Sequence, residues 1–402
     1  MIANLLRLRR YYARYVTSFA ERVNHAIRRK LNRQRMDILA DSEASRSALL
    51  LRQALKRLGF VSHIAAHDSY RVQFACIPIV IFSSGIVRIP KKYFILQTRD
   101  LAIGDPIEDD YFRILFQAVA VLEYSITNIE YLLAKGISYK KIFYLPLEGD
   151  LEFFLLRFLL AMDYLTFSTF YEGISKPLLL DGRGMCLSLP ETTERRCAFV
   201  HQHGNFTIFD GLRHRYSWVG CGMSYKYLCQ RAMAQGLDYL IVVEDDVVFT
   251  ERYEKDLKVV LSYLSWTRNP WHVFSGFIAN LSDNVEVSDV VSYGGIDFVH
   301  INRLTSTVFN IYHKSVFSQL SKWDEQNYHF YTNTIDRFLG NWKKLRVVTT
   351  LPFLVGHKED VDSSIWGFNN KRYIPMVEQT LQRLSGLVKE FKRDGMHLST
   401  PK

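Results

Sequence analysis

The run Tyr239-Leu240-Ile241-Val242-Val243 is apolar without a break. It leads straight into Glu244-Asp245-Asp246, and Val247-Val248-Phe249 then resumes the apolar character. A strand with one face in water alternates polar and apolar residues. An unbroken apolar run is buried on both faces, which happens where helices cover a largely parallel sheet. The run therefore predicts an α/β fold. The triplet that ends it is the chain's clearest candidate for chemistry. Like charges a few ångströms apart repel, and loss of water strengthens the repulsion. A divalent cation removes that cost, and Mg²⁺ or Mn²⁺ favours hard oxygen ligands shared with substrate phosphates. The carboxyl end of a strand is also where open α/β sheets bind ligands. Asp246 is read as the metal ligand, with Glu244 and Asp245 as further ligands or substrate contacts. The competing reading is a solvated acidic turn.

The surrounding pattern supports a second α/β domain. Met185-Cys186-Leu187-Ser188-Leu189 reads as a strand, and Pro190 to Arg196 as a loop opening into a helix. Phe206-Thr207-Ile208-Phe209 is a strand ending in Asp210-Gly211, and a helix is expected across 222–235. His357 follows a strand expected at 346–355. It is a candidate metal ligand set against the commoner case of a loop histidine. A final helix repeats apolar residues at Val377, Leu381, Leu384, Leu387 and Phe391 and is read as docked on the body.

The first half also alternates strand and helix. Ser45 to Leu58 reads as a helix stopped by Gly59. Ile77 to Phe82, Tyr93 to Leu96 and Ile142 to Leu147 read as strands, and 110–136 as helix interrupted near Ser125. The chain of 402 residues is long enough for two domains, since single cores rarely grow past about 250–300 residues. The expected division is a basic amphipathic helix over 1–36, a Rossmann-like domain over 37–165 and a connection over 166–183. A second α/β domain over 184–375 and a C-terminal helix and tail over 376–402 complete it.

Charge is concentrated at one end. Of the 51 Lys and Arg, ten lie in residues 1–36 beside the single acid Glu21, and the rest of the chain is nearly neutral. Leu5, Leu8, Tyr12, Tyr15, Phe19 and Val23 form an apolar stripe opposite the arginines. That pattern suits the surface of an anionic membrane, with a helix docked on its own protein as the alternative. A neutral body without a nucleic-acid motif argues against nucleic-acid binding. No run reaches the roughly 20 uncharged residues a membrane span needs. A cytoplasmic location, peripheral on the inner membrane face, is expected. The five cysteines match no zinc or redox spacing and read as buried, reduced thiols.

Residues of about 184–366 resemble the family 25 glycosyltransferases, the lipooligosaccharide and collagen galactosyltransferase group. The pieces occur in order: Leu187-Ser188-Leu189 with Glu194-Arg195-Arg196, Phe209-Asp210-Gly211, Gly220-Cys221-Gly222-Met223-Ser224, Tyr239 to Asp246, Thr305-Ser306-Thr307, Thr334-Ile335-Asp336, then Pro352 and Ser363-Ser364-Ile365. Tyr225, the Pro190–Thr193 loop and the short spacing before Asp210 depart from the family and bear on the acceptor. The resemblance implies a GT-A fold, one mixed and mostly parallel sheet flanked by helices. It implies metal-assisted, inverting transfer of a sugar, galactose above others, from a UDP-sugar to a glycan or lipid-linked glycan such as lipopolysaccharide. It places Leu189, Arg195, Asp210, Gly211 and Glu244 at the nucleotide. Asp336 would be the catalytic base, with Asp245 also catalytic. Arg52-Gln53-Ala54-Leu55, Gly59-Phe60, Gln97, Glu123-Tyr124-Ser125, Asn128, Gly136 and Pro146-Leu147 resemble the amino-terminal half of bacterial two-Rossmann-domain glycosyltransferases. The alternative function is a catalytically silent carbohydrate-binding or scaffold subunit of a glycan-assembly complex.

Overall fold

The computed structural model describes residues 35–40, 45–66, 76–81, 89–101, 109–180, 182, 184–203 and 205–393. The basic segment 1–36 lies outside the described residues except for Arg35 and Met36. Two compact units emerge. The first comprises Met1–Lys176 with the short segments Leu189–Thr193 and Leu212–Tyr216; the second holds the remainder. The connection expected over 166–183 is divided between them, because the helix Phe167–Gly173 falls in the first unit and the second begins at Pro177.

The first unit is built on β1 (Ile38–Leu39), β2 (Ile64–Ala65), β3 (Ile79–Ile81), β4 (Phe94–Gln97), β5 (Ala120–Glu123) and β6 (Ile142–Tyr144), in the order β2-β1-β3-β4-β5-β6. Every pairing is parallel. Side chains alternate across the sheet as a period of two requires. Ile79, Ile81, Phe94, Leu96 and Leu122 enter one core with Leu51 and Leu55 of α1 (Ser45–Arg57). Val80, Ile95 and Val121 enter the other, with Leu115 of α2 (Asp109–Gln117) and Leu132 of α3 (Ile126–Ala134). Strand β5 corrects the expectation of helix across 110–136. Four apolar-leaning residues between two helical patterns cannot be told from helix by periodicity. The helix α4 (Leu151–Ala161) carries Arg157, which forms a two-pronged ion pair with Glu191 at 2.6 and 2.8 Å. Arg213 stands 3.5 Å from the same carboxylate, and the Tyr144 N–H donates to it at 2.8 Å. Glu191 is fully buried. The two guanidiniums outweigh its burial and hold its pKa down at about 2.

The second unit carries an eight-stranded mixed sheet. Its strands are β7 (Met185–Ser188), β8 (Thr207–Asp210), β9 (Tyr239–Glu244), β11 (Val273–Ser275), β12 (Val287–Tyr293), β13 (Ile296–Ile301), β14 (Phe309–His313) and β15 (Val347–Leu351). The order is β12-β13-β15-β11-β14-β9-β7-β8. The pairings turn β13 and β14 against the other six strands. A separate antiparallel pair joins β10 (Val247–Phe249) to β16 (Val355–His357). Strand β9 is interior to the sheet, between β7 and β14, and Val242 and Val243 have no exposure. That is why its sequence lacks alternation. The last helix, Ile374–Arg393, buries Thr380, Leu384 and Val388, a stripe at intervals of four rather than the set read from the sequence; Leu381, Leu387 and Phe391 are half-buried. Among the described residues no helix is long and apolar enough to cross a membrane.

Candidate functional site

The triplet is placed by a strand that must end. Glu244 closes β9, its N–H donating to the Val308 carbonyl at 2.9 Å, and Asp245 and Asp246 turn the chain into β10. Asp245 and Asp246 are both buried, at 4% and 5% exposure, so the solvated acidic turn is not what the chain forms. Arg195, in the first turn of the helix Thr193–Gln202, reaches both. It pairs with Asp245 Oδ1 and stands 3.1 Å from Asp246 Oδ2. Ser188 Oγ at the end of β7 donates to Asp245 Oδ2 at 2.7 Å. The paired strands β7 and β9 run parallel, so both carboxyl ends deliver side chains to one place.

Asp246 has a second set of neighbours. Asn370 Nδ2 donates to its Oδ2 at 3.3 Å, and His357 Nε2 lies 3.5 Å from the same oxygen. The Lys358 N–H donates to the Asp246 carbonyl at 2.7 Å, fixing the end of β16 against the triplet. Asp246 Oδ1 is buried without a hydrogen-bond partner, as are Lys358 Nζ and Arg195 Nε. Buried polar atoms are nearly always paired, so an orphaned oxygen on Asp246, with one orphaned atom on each of its contacts Arg195, Lys358 and Asn370, is informative.

The three acids differ electrically. Burial opposes ionisation of Asp246, but the Arg195 guanidinium and hydrogen bonds from His357 and Asn370 overcome it and hold the carboxyl well below the usual range. Asp245 is shifted upward, because burial and the Asp246 charge outweigh Arg195 and Ser188. Glu244 is pushed up to about 8 by burial first and the Asp246 charge second. Its carboxyl faces Cys221 Sγ at 3.9 Å and accepts a hydrogen bond from Thr307.

Asp336 sits in the first turn of the helix Ile335–Gly340, half-buried. Thr334 Oγ1 at 2.7 Å and the Arg337 N–H at 2.8 Å both donate to its Oδ1. Its charge, with those of Glu244 and Asp246, is felt at both Cys221 and Tyr373. Asp210 ends β8 and pairs with Arg196 at 2.5 Å, while the Gly211 N–H donates to the Ser188 carbonyl at 2.9 Å. Arg195, Asp210, Gly211, Glu244, Asp245, Asp246, Asp336 and His357 all belong to the second unit, whereas Leu189 is part of the first.

Several expectations need correction. His357 is inside strand β16, not in a loop after it, and its ring stacks on Phe277. The helix expected across 222–235 begins earlier, at Ser217, so Gly220 as well as Gly222 lies inside it. A Cβ at Gly222 would collide with the buried ring of Trp323, so that glycine serves helix packing. Cys197 is exposed, while Cys76, Cys186 and Cys229 are buried. The argument that a divalent cation must offset the triplet is also incomplete, because Arg195 already supplies one positive charge. Asn370 and Lys358 escaped sequence reading as partners of Asp246. Asn370 lies 124 residues from it, and nothing in the local pattern marks it.

A metal ion must be judged on this donor set. Among the described residues no group of three or more His, Cys, Asp or Glu is placed to hold one. Two protein ligands suffice where substrate phosphates complete the shell, as is usual for Mg²⁺. The orphaned Asp246 Oδ1 fits that role. His357 Nε2 stands by the other oxygen, Oδ2, and is met by Asn370 Nδ2 at 2.9 Å, so it would have to exchange that contact to bind a metal, and Glu244 is turned toward Cys221. The chain matches no protein-family model and has no significant match among curated proteins.

Proposed function

We propose that the second unit is a GT-A-type glycosyltransferase. It would move a sugar, galactose in the reading the sequence suggests, from a UDP-sugar to a glycan acceptor such as a surface polysaccharide or lipid-linked glycan. The observation that carries this reading is the buried Asp246, with one partnerless carboxylate oxygen, at the carboxyl end of an interior strand. The mixed eight-stranded sheet supports this reading at the level of an α/β fold; six of its strands share one direction, but four of its seven pairings are antiparallel rather than the mostly parallel set expected.

Asp246 and His357 would hold Mn²⁺ or Mg²⁺, which when bound neutralises charge on the leaving diphosphate. The Lys358 ammonium, buried without a partner, supplies further positive charge for phosphate oxygens. Arg195 keeps Asp245 and Asp246 from repelling each other before donor arrives. Asp210 and the Gly211 backbone end β8 where a nucleoside would lie, with Arg196 orienting the Asp210 carboxylate. Asp336 acts as base. Both of its hydrogen bonds fall on Oδ1, leaving Oδ2 for the acceptor hydroxyl. The proton passes to Asp336 as the acceptor oxygen bonds to the anomeric carbon. The bond from that carbon to the diphosphate breaks on the opposite side, with inversion, and its electron pair leaves with UDP.

The test is hydrolysis of a panel of sugar nucleotides with Mn²⁺, comparing wild type with Asp246→Ala. Metal-dependent turnover of one UDP-sugar, lost in the variant, supports the transferase and names the donor. A wild type that neither binds nor turns over any donor sinks it. The second reading, a silent carbohydrate-binding subunit, draws on Arg195, which makes the triplet tolerable without a metal. It requires glycan binding with no metal-dependent donor binding. For the basic segment 1–36 we propose contact with an anionic membrane surface. Deleting it should release the protein from phosphatidylserine vesicles and leave donor hydrolysis intact; unchanged vesicle binding rules the contact out.

A further inference from the structure

The helix Phe330–Asn333 presents two aromatic side chains immediately before the Asp336 helix. Tyr331 is 56% exposed, an unusual position for so large a ring. Phe330 meets Tyr331 at 5.2 Å, Trp366 at 4.8 Å and Trp218 at 6.2 Å between ring centroids. The Arg337 guanidinium lies 4.6 Å from the Phe330 centroid and 5.9 Å from that of Tyr331. The result is an aromatic shelf of edge-to-face rings, exposed at Tyr331 and edged by one cation.

Two of the three elements that contribute rings also touch the carboxylate site, and the third leads into the Asp336 helix. Trp218 lies one turn before Cys221, whose thiol faces Glu244 at 3.9 Å. Trp366 rides on a loop held at both ends by the triplet's partners. Arg195 donates to the Asp362 carbonyl at 3.0 Å, and Asn370 donates to Asp246. Within that loop the Trp366 N–H donates to Ser363 Oγ at 3.2 Å. Phe330 and Tyr331 precede Asp336 by six and five residues. The shelf is therefore tied to the candidate reaction centre from three directions.

We infer that this shelf, open to solvent at Tyr331, flanked by the half-buried Phe330 and Trp366 and backed by the buried Trp218, is a binding site for a pyranose ring of the acceptor glycan. A sugar ring has an apolar face of C–H groups and a rim of hydroxyls. The first suits the face of an exposed aromatic ring, and the second suits Arg337 and the free oxygen of Asp336. Sites for small polar ligands combine this kind of aromatic wall with a few placed polar groups. A protein partner would need a broader apolar patch and would gain nothing from adjacency to Asp336. The inference rests on the glycosyltransferase reading for its biological sense but is measured separately from it.

The test is titration of the full chain with a panel of methyl hexopyranosides and short oligosaccharides, read by tryptophan emission and by calorimetry. UDP binding with Mn²⁺ is measured in the same samples. Saturable glycoside binding should weaken about tenfold in Tyr331→Ala, the factor that roughly 1.4 kcal/mol makes. Trp366→Ala should weaken it by a similar factor, and Trp366→Phe should restore most of it. UDP binding should be unchanged in all three. Tyr331 is exposed, so its removal leaves the fold intact and keeps the test valid if Trp366→Ala misfolds. Wild type that binds no member of the panel at millimolar concentration overturns the shelf. So does glycoside binding indifferent to Tyr331→Ala. Loss of the transferase reading has a different signature: glycosides bind at the shelf, but UDP and UDP-sugars do not bind at all.

Discussion

Two buried clusters of acids and arginines invite comparison. In the first unit Glu191 is clamped by Arg157 and Arg213, and both carboxylate oxygens carry hydrogen bonds. In the second unit Asp245 and Asp246 share Arg195, yet Asp246 Oδ1, Lys358 Nζ and Arg195 Nε have no partner. The chemistry is the same and the burial is similar. The difference is completeness. A closed network has used all its bonding capacity on itself and can only hold the fold. An open one retains capacity for something that arrives later. Burial of charge alone would have marked both as sites; unsatisfied atoms mark only one.

The contrast breaks most visibly at Asp246. Asp246→Ala should lower metal-dependent donor turnover about a thousandfold, as loss of roughly 4 kcal/mol of charge stabilisation would do. Stability should change by no more than about 1 kcal/mol, because Asp245 still pairs Arg195. Steady-state kinetics beside thermal melting would show both. Glu191→Ala should do the reverse. Two buried guanidiniums lose their counter-charge, costing about 3–5 kcal/mol, while UDP binding is retained. Hydrogen exchange in the helix Leu151–Ala161 would report the loss. A Glu191→Ala variant of normal stability would end the comparison.

Gly222→Ala adds a smaller effect of about 1–3 kcal/mol, since the new methyl group meets the Trp323 ring. It should not alter donor binding, which distinguishes a packing glycine from a phosphate-cradling one. The gentlest probe is pH. Glu123 in the first unit is pushed up to about 8, chiefly by burial, despite hydrogen bonds from Ser125, Asn128 and Gln97. Between the ordinary value of 4.5 and about 8 the folded protein keeps a proton that the unfolded chain has released. Stability must then fall as pH rises through that window and level off above it. Melting should drop by about 2–4 °C for each kcal/mol lost in a domain of this size. Glu123→Gln should flatten the profile.

How much could be read beforehand follows from the same physics. Strand β9 was legible because it is interior and therefore uniformly apolar. The six-stranded sheet was only partly legible, since β1 and β2 have two residues each and β5 has four between helices. Gln97, Glu123 and Asn128 stood out as a family-like pattern. The structure joins them in one buried network, in which Glu123 accepts from both amides at 3.1 Å. That network pins the backbone at Arg99 and Leu101. Asp246 and His357 were singled out by their chemical type, and the structure brings them within 3.5 Å of each other. Asn370 and the aromatic shelf were not, because an asparagine or a tyrosine carries no signal until the fold sets it beside a charge.

The pairing of β10 with β16 also sets a clock. Asp246 leaves the ribosome well before the residues that complete its surroundings, with Asn370 following 124 positions later. At synthesis rates of roughly 5–20 residues per second that interval is about 6–25 s. Throughout it the nascent chain carries an acidic triplet that lacks two of its neighbours, and any release of the chain before Asn370 yields a protein whose sheet can assemble but whose centre cannot.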